Sequence, residues 1–136
     1  MLKALGNATK YIYDKPTASL LEAFSNPNVE AEGQAQGGIF VEITAPEFTS
    51  LCPISGQPDF AEIYVKYTPR DLCVESKSFK LYLGSFRMFG EFHEACVNRI
   101  ANDLCFLLKP YYLKVEGRFA PRGGIKFWPT KEIWMD

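Results

Sequence analysis

The sequence has a single histidine, His93, among 136 residues, and none of its four cysteines forms a Cys-x-x-Cys pair. A zinc site needs several Cys and His ligands at close spacing, so no metal is expected. Neither sign of charge is in excess: 15 Lys and Arg against 16 Asp and Glu leave a net charge of -1. Domains that bind nucleic acid usually carry a basic surplus, so no direct nucleic-acid partner is expected. No apolar run is long enough to span a bilayer, and Lys3, Lys10, Asp14 and Lys15 interrupt Met1 to Leu20. The expectation is therefore a cytoplasmic protein with no membrane partner and no secretory leader. In a reducing compartment Cys52, Cys73, Cys96 and Cys105 are expected to be thiols. Internal repeats and low-complexity stretches are also missing.

What is present suffices for one packed domain over residues 1–136. Apolar residues make up 47% of the chain and aromatic residues 15%. Met1 to Lys15 lacks periodicity and reads as a short N-terminal tail or oligomer arm. Thr17 to Phe24 reads as a short helix behind a Thr cap, stopped by Asn26-Pro27. Glu30 to Gly38 is polar and Gly-rich, and reads as the start of a long edge strand. Ile39 to Thr44 and Phe60 to Thr68 alternate apolar and polar residues, as half-buried strands do. Ser76 to Phe89 changes period: Phe79, Tyr82, Leu83 and Phe86 share one helical face, and Lys77, Lys80 and Arg87 share the other. Glu91 to Leu108 predicts a second helix, with Phe92, Cys96, Ile100, Leu104 and Leu107 in its apolar stripe, stopped by Pro110. Tyr111 to Phe119 alternates again. Pro121 to Gly124 reads as a turn and Ile125 to Trp128 as a last short strand.

The expected class is α+β, in the order strand, strand, helix, helix, strand, strand. An antiparallel sheet would be covered on one face by two helices. Such a sheet leaves two open edges, and edges must be blunted or paired. Pairing with identical chains would close a ring, so a homo-oligomer with sites at subunit interfaces is expected.

Between the first two strands lies Ser-Leu-Cys-Pro-Ile-Ser-Gly-Gln-Pro-Asp, Ser50 to Asp59. Two prolines and a glycine exclude a helix there and make a stiff loop. Spacing alone leaves two readings open. Cys52 and Asp59 are either a nucleophile with a proton donor, or a small apolar residue with a turn cap.

Glu75 to Tyr82 reads Glu-Ser-Lys-Ser-Phe-Lys-Leu-Tyr. This resembles the defining motif of the NADPH-dependent 7-cyano-7-deazaguanine reductases (QueF), nitrile reductases of queuosine biosynthesis. Cys52-Pro53 with Asp59 downstream, Gly84-Ser85-Phe86-Arg87 and His93-Glu94 are also similar to that family. The length is similar to that of its short, single-module branch. The resemblance implies the tunnelling fold, in which ββααββ units associate through their sheets into barrels. It implies an oxidoreductase that uses NADPH to reduce the nitrile of 7-cyano-7-deazaguanine to an aminomethyl group, a step towards modified tRNA.

By the same resemblance Cys52 is the nucleophile that forms a thioimide, and Asp59 is the proton donor. A useful Cys52 needs a pKa below about 8.5, and a donating Asp59 one above about 3.9. Val74, Glu75, Ser76, His93 and Glu94 match the family's substrate contacts. A carboxylate such as Glu94 can accept two parallel hydrogen bonds from a guanine-like edge. Ser76 and the backbone N–H groups around it are expected to face the ligand. No G-x-G-x-x-G follows a strand, so the cofactor phosphates are assigned to Lys77, Lys80 and Arg122 instead. Cys96 reads as a core residue; a second reading pairs it reversibly with Cys52 under oxidation. The alternatives are a zinc-independent hydrolase of the same fold acting on a pterin or purine, and a non-catalytic purine-binding oligomer.

Overall fold

The computed structural model describes residues 2–6, 11–30 and 37–136. A single 3-10 turn at Ala18–Leu20 leads into β1 (Ala23–Ser25) and a four-residue helix, α1 (Pro27–Glu30). Two long strands follow, β2 (Val41–Leu51) and β3 (Pro58–Thr68), then the short β4 (Leu72–Val74). Helices α2 (Ser76–Gly84) and α3 (His93–Leu108) come next, and the chain closes with β5 (Tyr112–Phe119) and β6 (Thr130–Trp134). The main sheet is antiparallel in the order β2-β3-β5-β6, and β1 pairs with β4 in a separate two-stranded ladder.

Alternation explains which face is buried. Ala61, Ile63, Val65 and Tyr67 of β3 point into the core with Leu113, Val115 and Phe119 of β5. Both helices lie on that face and supply Phe79, Tyr82, Cys96, Ile100 and Leu104. Each buried Val, Leu, Ile or Phe among them contributes about 1.5–3 kcal/mol by leaving water. The other face is polar, and Arg118 bridges Glu62 at 2.9 Å and Glu116 at 2.5 Å there. Helix α3 can approach β5 because position 117 is glycine. A Cβ there would lie 2.7 Å from Val97 and 2.7 Å from the Phe119 ring.

Several boundaries differ from the sequence reading. Thr17 to Phe24 is not a helix: the 3-10 turn gives way to β1, whose Ala23, Phe24 and Ser25 pair with β4. Tertiary pairing overrides the helix propensity of a segment too short to hold a helix alone. The first long strand begins at Val41 and runs past Thr44 to Leu51, taking up Pro46 as an irregularity between Ala45 and Phe48. Proline fits because β2 is an edge strand. The edge strand expected from Glu30 lies largely outside the described residues, and Gly37 and Gly38 are not in a strand. The first long helix stops at Gly84 and the second starts at His93. The last strand is Thr130–Trp134, not Ile125 to Trp128; Ile125 instead closes a turn with Arg122.

Candidate active site

The end of β2 and the start of β3 hold the Cys52 loop at both sides. Ser50 pairs with Asp59 and Leu51 with Pro58 across the ladder. Inside, the Cys52 N–H donates to the Gln57 carbonyl at 2.8 Å, and the Gly56 N–H to the Cys52 carbonyl at 2.9 Å. Gly56 takes φ +73°, a conformation that favours glycine. The closed turn aims its N–H groups at sulfur: the Ser55 N–H lies 3.5 Å from Cys52 Sγ. Hydrogen bonds from the Ser55 hydroxyl, then from the Ser55 and Ile54 N–H groups, lower the Cys52 pKa to about 7, with a smaller contribution from Arg122. Donors to sulfur stabilise the thiolate over the thiol.

Asp59 continues the inward row of Ala61, Ile63 and Val65, so a carboxylate occupies a core register position and is only 5% exposed. A buried carboxylate needs partners, and among the described residues it has two. Arg122 ion-pairs with Asp59 Oδ1, and His93 Nε2 stands 3.4 Å from Oδ2. His93 is placed by α3, of which it is the first residue, and by stacking on Phe119 at 3.7 Å between ring centres. The lead-in to α3 is tied to the loop as well. Leu51 exchanges hydrogen bonds with Phe89 and Glu91, and Gly90 packs so closely that a Cβ there would lie 3.1 Å from Pro53 Cα.

These side chains enclose a slot of about 170 Å³, with Glu94 on its rim and Phe92 and Phe127 as apolar walls. Phe92 and Phe127 are 57% and 51% exposed, a large apolar area for two neighbouring rings. The slot thus combines a thiol that ionises near neutrality, a buried acid, an imidazole, a guanidinium and an exposed carboxylate around flat apolar walls.

Of the residues singled out in the sequence, Cys52, Asp59, His93, Glu94 and Arg122 come together here. Val74, Glu75, Ser76, Lys77 and Lys80 do not. Glu75 is buried and caps α2, its carboxylate accepting from the Lys77 and Ser78 N–H groups at 2.8 and 2.7 Å. The Val74 N–H bonds the Tyr67 hydroxyl at 3.0 Å, and the Glu75 N–H bonds the Glu22 carbonyl at 2.9 Å. The expectation that the backbone N–H groups here face a ligand therefore fails at 74 and 75, where folding itself uses them. Ser76 and Lys80 instead line a separate cleft of about 430 Å³ between β2 and α2. Phe92, expected in the buried stripe of the second helix, and Phe127, expected in a last strand, are instead exposed slot walls, because α3 begins only at His93 and β6 only at Thr130.

Comparison with known proteins bears on this arrangement. A family model described as QueF-like protein matches residues 58–133. The NADPH-dependent 7-cyano-7-deazaguanine reductase of Streptococcus thermophilus (strain ATCC BAA-491 / LMD-9) is 53% identical over 121 residues, 89% of this chain and 70% of its own length. The enzyme of that name from Helicobacter pylori (strain Shi470) is 52% identical over 128 residues, 94% of this chain and 83% of its own. This chain belongs to the QueF-like family. A solved member, an archaeosine synthase QueF-Like in the apo form, superposes with a TM-score of 0.65 at 25% identity, over 71% of this chain and 95% of that one. The ββααββ tunnelling fold expected from the resemblance is the fold of this QueF-like chain. The family match spans Asp59, the Glu75 to Tyr82 motif, His93, Glu94 and Arg122.

Proposed function

We propose that this chain reduces the nitrile of 7-cyano-7-deazaguanine to an aminomethyl group, with NADPH as reductant and Cys52 as covalent catalyst. The observation that carries the reading is the Cys52 thiol, with its pKa lowered to about 7, in one slot with buried Asp59.

A nitrile carbon is a poor hydride acceptor, and covalent attack turns it into a better one. Cys52 adds as thiolate, forming the C–S bond of a thioimide while the nitrile nitrogen gains a proton. Asp59, an ion-pair partner of Arg122 at rest, first takes that proton from His93 at 3.4 Å and then delivers it. Bound NADPH would supply the hydrides that reduce two successive carbon–nitrogen double bonds, and the nitrogen takes up a second proton, by way of His93 and Asp59, after the first of them. The Cys52 sulfur leaves between those transfers, so it ends as it began. Phe92 and Phe127 hold the flat ring, and Glu94 accepts from its N–H edge. Lys77, Lys80 and Arg122 fit the cofactor's phosphates by charge, although Arg122 shares its guanidinium with Asp59. Val74, Glu75 and Ser76 complete the substrate site from a neighbouring subunit, because in one chain they lie outside the slot. The open edges at β2 and β6 are where identical chains pair. A small-molecule substrate and NADPH are the partners in this reading, with no direct contact to tRNA, and the cytoplasm is its setting.

Mixing the protein with the nitrile in the absence of NADPH tests the central step. A mass increase equal to the nitrile on the peptide carrying Cys52 is expected, and its absence would overturn the thioimide. Adding NADPH should then consume two equivalents per nitrile.

A further inference from the structure

Within one chain the Cys52 slot, at about 170 Å³, is smaller than the usual cofactor site. The cleft between β2 and α2, at about 430 Å³, is within the range of cofactor sites. Its floor is apolar, formed by Ile43, Phe48, Phe79 and Leu83. Its rim is cationic: Lys80 and Arg87 line it, against the single carboxylate Glu47. Its far wall is a stacked aromatic pair, Tyr11 and Tyr13, with ring centres 5.7 Å apart and planes within 8°.

The cations of this region are not equally available. Arg122 ion-pairs with Asp59, and Lys77 donates to the Ala4 carbonyl at 2.6 Å. Among the described residues, neither Lys80 nor Arg87 pairs with a carboxylate. Each instead lies near a tyrosine ring, Lys80 at 5.8 Å from the centre of Tyr11 and Arg87 at 5.9 Å from that of Tyr13. A guanidinium and an ammonium at the mouth of an aromatic-walled cleft match a phosphate borne next to a flat base. β2 lines the cleft as far as Thr49, and Cys52 follows three residues on, about 10 Å along an extended chain.

We propose that this cleft takes the adenosine 2′-phosphate end of NADPH, with Arg87 and Lys80 holding the phosphate and Tyr11 and Tyr13 backing the adenine. Arg87 is thereby a determinant of NADPH over NADH. The assignment rests on the reductase reading above, and deepens it.

The test is Arg87→Gln in the full-length, assembled protein. Arg87 is exposed, so the fold should tolerate the change. KM for NADPH should rise on the order of 10- to 100-fold, as expected for one charge-assisted hydrogen bond, while KM for NADH stays where it was. Equal changes for both cofactors, or no change in their ratio, would overturn the assignment. Calorimetry with adenosine 2′,5′-bisphosphate reads the cleft without turnover. The wild-type chain should bind it more tightly than 5′-AMP, and Arg87→Gln should erase the difference. A wild type that binds both alike refutes the cleft even if the nitrile is reduced. A wild type that prefers the bisphosphate but never consumes NADPH with the nitrile keeps the cleft and refutes the reductase.

Discussion

Cys52 and Cys96 are the same side chain in opposite surroundings, both close in sequence to site residues. Cys52 opens a loop, is half-buried, and receives hydrogen bonds from Ser55 and Ile54 that bring its pKa to about 7. Cys96 sits on α3 at 0% exposure, where loss of water, and secondarily the Glu91 charge, push its pKa well above the ordinary thiol range. Both are free thiols. A nucleophile is thus made by the turn that follows it, not by its identity as cysteine. A thiolate inside the core would lack donors, whereas one at the Cys52 turn meets N–H groups the backbone had to place somewhere.

The largest effect expected from breaking this contrast is loss of chemistry. Cys52→Ala should lower nitrile-dependent NADPH consumption by roughly 10⁴-fold or more, and abolish the adduct. Cys96→Ala should retain the adduct. A Cys52→Ala protein that still turns over would mean the wrong thiol has been named.

Asp59→Asn comes next. It keeps the shape but removes the proton donor and the partner of both Arg122 and His93. A fall of about 10² to 10⁴-fold in turnover is expected, the usual span of general acid catalysis. Wild-type-like adduct formation with unchanged turnover would remove Asp59 from the mechanism.

The contrast sharpens in a titration. Iodoacetamide should alkylate Cys52 with a midpoint near pH 7, following the thiolate fraction, whereas Cys96 should react only on unfolding. Ser55→Ala deletes the largest of the stabilising hydrogen bonds, so the Cys52 pKa should rise and the midpoint move to higher pH. Arg122→Leu should move it less, since Arg122 is the smallest of the favourable contributions. A larger shift from Arg122→Leu than from Ser55→Ala would contradict this account of the loop.

How much of this the sequence discloses depends on range. The alternation in β3 and β5 reports burial directly, because the period of a strand is local: Ile63, Val65, Leu113 and Val115 are all at 0% exposure. The motif and the loop bring Cys52, Asp59, His93 and Glu94 forward by resemblance. What stays hidden is set by partners distant in the chain. β1 and β4 have three residues each, too few to show a period, and exist because they pair with each other. β6 is similarly faint: Thr130 to Trp134 offers only Ile133 and Trp134 as apolar residues, and its place is set by β5. Arg122 is legible as a cation in a turn, but its ion pair with Asp59 depends on how two ends of the sheet meet.

The smallest effect concerns Ser50, opposite Asp59 in the ladder. Its hydroxyl is fully buried, and it is the one buried side-chain oxygen or nitrogen among the described residues without a hydrogen-bond partner. An unpaired buried hydroxyl opposes folding, so removing it should be neutral or stabilising by up to about 1 kcal/mol. Residues directly opposite in an antiparallel pair hold their Cβ atoms about 5 Å apart on one face, so a hydroxyl at 50 is within reach of the Asp59 carboxyl through a small rotation or one water. Ser50→Ala should therefore hold or raise the thermal midpoint while slowing adduct formation several-fold, the pattern of a group kept for chemistry at a cost to stability. A lowered midpoint would show that the hydroxyl has a structural partner in solution, and an unchanged adduct rate would separate Ser50 from the acid beside it.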